Sequence, residues 1–402
     1  MKNLKKNTVY ISLMQLILLI VNLLIITLIS RNYGAAIYGE YASAKSFSVL
    51  IGTAAVLSLA LVVTKNMSKN QHSDLIIFPS SYRVIFDNLL ISILLVIPIS
   101  LILNRNLKMS LLFLVIFVIN ELVHISLAYF QSKGDFITSS KQIIYRTLAY
   151  GIGSIFILNI KISIFYFLYF QVFLLFASFL YAHYSIPENK IQIFLKDANH
   201  CKKELRVSGK KMVLTTFSSA LISEFDILLL SLFYSGSLLG VLAWVRRILE
   251  ILFQIIAASL DILFPELSKE NKVFKIVKLR KKLFIFTAML FLIPFSYFFI
   301  IDFASELITV LLGNDFKDIS KFTFQALFAL PLMVWSRINI IFARALNYEI
   351  KITRGIFISC FLSVGIYYFL NTNEYNFPIL SIILTQLLIA VVSTFSIRKS
   401  YA

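Results

Sequence analysis

Nine charged side chains stand inside long apolar runs of this chain: Lys45, Glu121, Glu224, Asp226, Arg246, Arg247, Glu250, Asp261 and Arg337. A charge at the centre of a membrane helix costs about 2.5–3.5 kcal/mol on insertion scales, so each should face protein or water rather than lipid. Their chemistry is recognition. Cations in a medium of low dielectric attract phosphate or acidic sugar groups. Carboxylates and imidazoles can pair with those cations or pass protons.

The segment 238–264 carries the sharpest pattern. On a helical wheel Arg246, Arg247, Glu250, Gln254 and Asp261 fall within an arc of about 100°, and the rest of the turn surface is Leu, Ile, Phe and Ala. A stripe this narrow suits the wall of an aqueous cavity. Pairing inside the stripe, Arg246–Glu250 at i, i+4 or Arg247–Glu250 at i, i+3, is compatible with that role. Glu121 and His124, three residues apart beside Asn120, share a face and form either a proton relay or an interhelical clamp. Glu224 and Asp226 lie on opposite faces, so at most one of them meets a given neighbour. Lys45 and Arg337 have no local partner in sequence; each needs one across helices, or a bound anion.

No catalytic constellation stands out. The cytoplasmic-type loops are rich in Lys and lack a DxD pair, a Walker A loop, HExxH or GxSxG. Cys201 and Cys360 have neither metal-ligand spacing nor a disulfide framework. No third ligand accompanies Glu121 and His124, so neither a metal nor another cofactor is expected.

The elements that must position these residues are membrane helices. Of 402 residues, 59% are hydrophobic and 14% charged, with a mean hydropathy of +0.86. A water-soluble globule does not hide that much apolar surface, whereas a bilayer accepts it. Twelve apolar segments are long enough to cross as helices: 9–30, 40–64, 84–103, 110–130, 142–160, 162–182, 212–234, 238–264, 283–303, 320–344, 355–371 and 377–396. Runs such as Leu89 to Ile97 do not alternate as barrel strands would. The fold expected is an all-α polytopic membrane protein.

The net charge of +18 sits between these segments, which argues for membrane loops rather than nucleic acid. With a cytoplasmic N-terminus, 28 of the 38 Lys and Arg fall on inside segments and six on outside ones. Both termini are then cytoplasmic. The longest polar break, 187–211, leaves six segments on each side, so lobes of 1–186 and 212–402 joined by a basic cytoplasmic linker are expected. A shift of 201 residues lays Tyr33, Gly39, Ala42 and Lys45 on Tyr234, Gly240, Ala243 and Arg246, which suggests a repeat. The stretches 190–211 and 269–282 are basic and partly amphipathic, suited to anionic headgroups.

The stretch Ser30-Arg31-Asn32-Tyr33-Gly34 through Tyr38-Gly39-Glu40-Tyr41-Ala42 resembles the entry to span 2 of the O-antigen and polysaccharide repeat-unit flippases (Wzx-type). These belong to the multidrug/oligosaccharidyl-lipid/polysaccharide exporter superfamily. Asp226 to Leu230, Gly240 to Arg246, and Phe264-Pro265-Glu266-Leu267-Ser268 are similar to that family's spans 7 and 8. The resemblance implies a MATE-like, V-shaped pair of six-helix lobes in the bacterial inner membrane. It implies translocation of an undecaprenyl-diphosphate-linked oligosaccharide to the periplasmic leaflet by alternating access, without enzymatic turnover. It places Lys45, Asp226, Arg246 and Arg247 on cavity-lining helices. Lys45, Arg246 and Arg247 are then candidates to hold the diphosphate, with Arg337 as a further cation. Glu121, His124 and Asp226 are candidates for proton coupling, and Glu224, Glu250, Gln254 and Asp261 for other polar contacts. Membrane lipids and a glycan polymerase complex are the partners it allows. The alternatives are an ion-coupled drug or metabolite antiporter on the same scaffold, and a polytopic glycan polymerase or glycosyltransferase.

Overall fold

A computed structural model describes residues 2–68, 74–102, 105–160, 162–186, 198–261, 273–345, 349–372 and 378–401. These residues are helical, with no strand among them. The helices are α1 (Lys2–Val56), α2 (Leu59–Ser68), α3 (Asp74–Ile102), α4 (Leu107–Ser132), α5 (Phe136–Asn159), α6 (Ile164–Tyr184), α7 (Ala198–Phe233) and α8 (Gly236–Asp261). After them come α9 (Val273–Met289), α10 (Leu292–Phe298), α11 (Ile301–Leu312), α12 (Ile319–Ala326), α13 (Ala329–Ala345), α14 (Glu349–Thr372) and α15 (Pro378–Tyr401).

The described parts of the predicted apolar segments are mainly helical, with breaks that include Leu57–Ser58, Leu290–Phe291 and Leu327–Phe328. Eight helical stretches among the described residues are long and apolar enough to cross a membrane, or up to nine with the bent pair Asn314–Ala326 and Ala329–Ala343. The longest of them, Leu13–Met67, holds the second predicted segment and all but the first four residues of the first. Gly34 parts these two with φ 78° and ψ 172°, a conformation essentially reserved for glycine. Lipid demands that backbone groups be satisfied internally, and helices do this. The buried hydroxyls follow suit: Ser48, Ser81 and Thr147 each donate to the carbonyl four residues back. Large apolar side chains point outward, as on α3, where Leu90 and Leu94 are 67% and 69% exposed.

The chain packs as two compact units: 1–33 with 44–217, and 34–43 with 218–402. In the first, α4 is the hub and touches α2, α3, α5 and α6. In the second, α13 packs on α8, α9, α14 and α15. The stretch 198–211, expected to belong to a linker, is the first part of α7 and packs in the first unit. The residues 187–197 lie outside the described residues, as do 262–272, which include the first four residues of the second basic stretch.

Candidate functional site

Three residues of the predicted polar stripe face one space in the second unit. Arg246, Glu250 and Gln254, four residues apart on α8, line one wall of a cavity of about 100 Å³. Ser219, Ile222 and Ser223 of α7 line another, and Met333, Arg337 and Ile340 of α13 a third. Each trio follows the helical repeat, so three helices each present one face to the same space.

Inside this cluster the charges pair. Arg246 Nε donates to Asp226 Oδ2 at 2.9 Å, with both side chains almost fully buried. Arg246 Nη2 donates to the carbonyls of Ile222 and Ser223 at 3.0 and 3.2 Å. Gln386 of α15 donates its amide to the same Asp226 oxygen at 2.9 Å. Arg247 Nη1 meets Glu250 Oε2 at 2.6 Å, and Gln254 donates to Glu250 Oε1 at 2.9 Å. Buried and without a hydrogen-bond partner are Asp226 Oδ1, Arg246 Nη1, Arg247 Nε and Gln386 Oε1. Buried polar atoms are rarely left so, and each marks capacity for a further contact. Glu224, half-buried on α7, lies within electrostatic reach of Arg247. Tyr38 and Tyr41, both buried, do the same from the second unit's 34–43 segment.

These distances revise the expected diphosphate clamp. Arg246 has Nε and Nη2 committed to Asp226 and two carbonyls, so only Nη1 remains for another group. Arg247 pairs with Glu250 at i, i+3. Lys45 belongs to the first unit and Arg246, Arg247 and Arg337 to the second, so neither unit gathers all four. The side chain of Asp261 lies outside the described residues.

In the first unit, Glu121 and His124 are half-buried on α4, and a cation from the predicted segment 142–160, Arg146, joins them. Arg146 Nη1 donates to Asn120 Oδ1 at 3.0 Å and lies within electrostatic reach of Glu121 and His124. It sits ten residues into α5, because that helix starts at Phe136. The start signal was present: Gly134 turns the chain with φ 78°, and Asp135 accepts from Thr138 N at 3.1 Å as an N-cap. Arg146 and Gln142 also line a cavity of about 310 Å³ walled by α4, α5 and α6. Among the described residues no group of three metal-ligating side chains occurs in either unit.

An all-helical polytopic membrane protein with charged polar pockets buried in its helix packing is the class so defined. The architecture is shared with known transporters. The inward closed conformation of the lipid II flippase MurJ matches with a TM-score of 0.67 at 16% identity, over 97% of this chain and 87% of that one. An inward-facing multidrug resistance MATE transporter of the MOP superfamily matches with 0.63 at 14%, over 94% and 93%. The eukaryotic MATE transporter AtDTX14 matches with 0.60 at 12%, over 98% and 95%. These likenesses show a MATE-like fold. No curated protein matches the sequence. Residues 57–321 match the family described as polysaccharide biosynthesis protein, and the chain belongs to that family.

Proposed function

We propose that this protein moves an undecaprenyl-diphosphate-linked oligosaccharide, an O-antigen or capsule repeat unit, from the cytoplasmic to the periplasmic leaflet of a bacterial inner membrane by alternating access. The observation that carries the reading is the small polar cavity of the second unit, set within membrane helices and lined by Arg246, Glu250, Gln254, Arg337, Ser219 and Ser223. Such a lining offers cations to an anionic headgroup, and hydroxyl, amide and carboxylate groups to sugar hydroxyls. One similar structure is that of a lipid II flippase, which is consistent with a lipid-linked cargo. Antiport of a cationic drug fits less well, because Asp226 and Glu250 each carry an arginine already.

The test is a flipping assay in proteoliposomes with a lipid-linked oligosaccharide, run with and without a pH gradient. Arg337→Gln and Gln254→Ala should each slow flipping about tenfold, the effect of losing one charge-assisted contact to the cargo, with the amount of folded protein unchanged. Wild-type rates in both variants would overturn the assignment of this cavity. A wild-type protein that moves no lipid-linked glycan would overturn the function.

A further inference from the structure

A second and larger cavity lies in the first unit, about 560 Å³ in volume. Its body is apolar. Ala54 and Ala55 of α1 form one side, and Ile91 and Leu95 of α3 the other. Its mouth is cationic, with Arg206 and Lys210 four residues apart on one face of α7. Asp87 is the carboxylate nearby, and it is already bound by both Lys202 and Arg206. Three cations against one carboxylate leave the mouth positive.

The depth of these groups matters. The apolar span of α7 begins at Thr216, so Lys210 and Arg206 stand about 9 and 15 Å before it at the helical rise. Ile91 and Leu95 lie one and two turns beyond Asp87, deeper in the predicted apolar segment 84–103. Cations at headgroup depth above an apolar slot complement a phosphate carried on a hydrocarbon chain. Ile91 and Leu95 are 57% and 49% exposed, so the slot continues onto the lipid-facing side of α3. The backbone at the slot's edge is strained as well: Leu57, which lines it, and Ser58 both hold left-handed φ, at 53° and 54°. Ser58 donates to Thr216 of α7, which ties this break to the helix bearing the cations. Strain of this kind concentrates at ligand sites.

We propose that this slot receives the hydrocarbon chain of a single-chain prenyl phosphate lipid, with its phosphate held by Arg206 and Lys210. One channel between two helices suits one chain, whereas a bilayer phospholipid brings two. Under the positive-inside orientation the mouth faces the leaflet where lipid-linked sugars are made. The slot is thus a docking site for the cargo's carrier, separate from the polar cavity assigned above. The proposal rests on the transport reading only in naming that lipid as cargo.

The experiment measures binding of farnesyl diphosphate, as the single-chain probe, to the full-length protein in phosphatidylcholine nanodiscs. Farnesol, inorganic pyrophosphate and phosphatidylglycerol serve as competitors. Saturable binding is expected, weakened about tenfold by Lys210→Gln, which loses one charge-assisted contact. Ala54→Phe should weaken it comparably, because Ala54 is an exposed residue of the slot wall and the larger ring fills the channel without touching the core. None of the three competitors should displace the probe at matched concentration. Wild-type affinity in both variants, or equal competition by phosphatidylglycerol, overturns the proposal. If flipping persists in that case, the transport reading stands. Intact slot binding in a protein that flips nothing overturns the transport reading and leaves the slot.

Discussion

Arg246 of α8 and Asp226 of α7 form an ion pair sealed from solvent, 2.9 Å from Nε to Oδ2, with side chains 3% and 0% exposed. Breaking such a pair by removing one partner leaves a naked charge and costs about 3–5 kcal/mol, whereas replacing both partners by apolar groups is often neutral. Arg246→Ala and Asp226→Ala should therefore each lower the thermal unfolding midpoint in detergent sharply. The double replacement Arg246→Met with Asp226→Leu should recover most of the loss. A double variant as unstable as either single one would show that the pair is not what holds these helices. Recovery of stability without recovery of flipping would assign Arg246 Nη1 a part in the cargo's path.

Gly240 of α8 lies against the backbone of the 34–43 segment so closely that a Cβ there would stand 1.8 Å from the Ala35 carbonyl oxygen. A Cβ on Gly39 would stand 2.8 Å from Gly240 N. Small residues at helix crossings let backbones approach in this way. Gly240→Ala should force the two apart and destabilise by about 1–3 kcal/mol, the usual cost of overpacking. Gly39→Ala should cost less. Fluorescence-detected thermal stability of the detergent-solubilised protein measures both, and a Gly240→Ala variant as stable as wild type would refute the crossing.

Part of the second unit's candidate site was legible in the sequence because its residues lie on helical faces. Arg246, Glu250 and Gln254 recur every four residues, and periodicity alone aligned them on one wall. What spacing could not give is which groups use each other up. The choice of Asp226 rather than Glu250 as the partner of Arg246 depends on how α7 rotates against α8, and nothing local encodes that. The Gln386 contact joins residues 160 positions apart, beyond any local pattern. Arg146 was missed for a different reason. It stands at the edge of the predicted segment 142–160, where a cation reads as a loop charge, whereas α5 starts at Phe136 and carries it ten residues inside the helix. The basic stretch before residue 212 misled in the same way: charge marked it as linker, yet α7 continues back through it to Ala198.

Arg146 gives its own prediction. Its guanidinium donates to Asn120 and stands within electrostatic reach of Glu121 on the same helix. Arg146→Ala should leave Asn120 Oδ1 without this donor and Glu121 without this cation, costing about 1–3 kcal/mol. Adding Glu121→Gln should return part of that, with a coupling of about 0.5–3 kcal/mol in the double-mutant cycle. Thermal unfolding of the four proteins supplies the cycle. Strict additivity would show that the two side chains do not interact.

The two units carry turns whose sidedness tests the twelve-span reading. Lys133, between α4 and α5, and Lys317, after the 3₁₀ turn Asn314–Phe316, are both exposed. Five of the predicted apolar segments, from 142–160 to 283–303, separate them, and an odd number of crossings puts the two on opposite sides of the membrane. The excess of Lys and Arg on alternate loops puts Lys133 inside. The native Cys201 and Cys360 are buried, so cysteines placed at these two positions should dominate labelling by a membrane-impermeant maleimide. Lys317→Cys should label in intact cells and Lys133→Cys only once the membrane is opened. The reverse pattern would invert the orientation. Labelling of both from one side would require an even number of crossings between them, and the intervening helix α5 or α8, each charged within its length, would then be the one that fails to span.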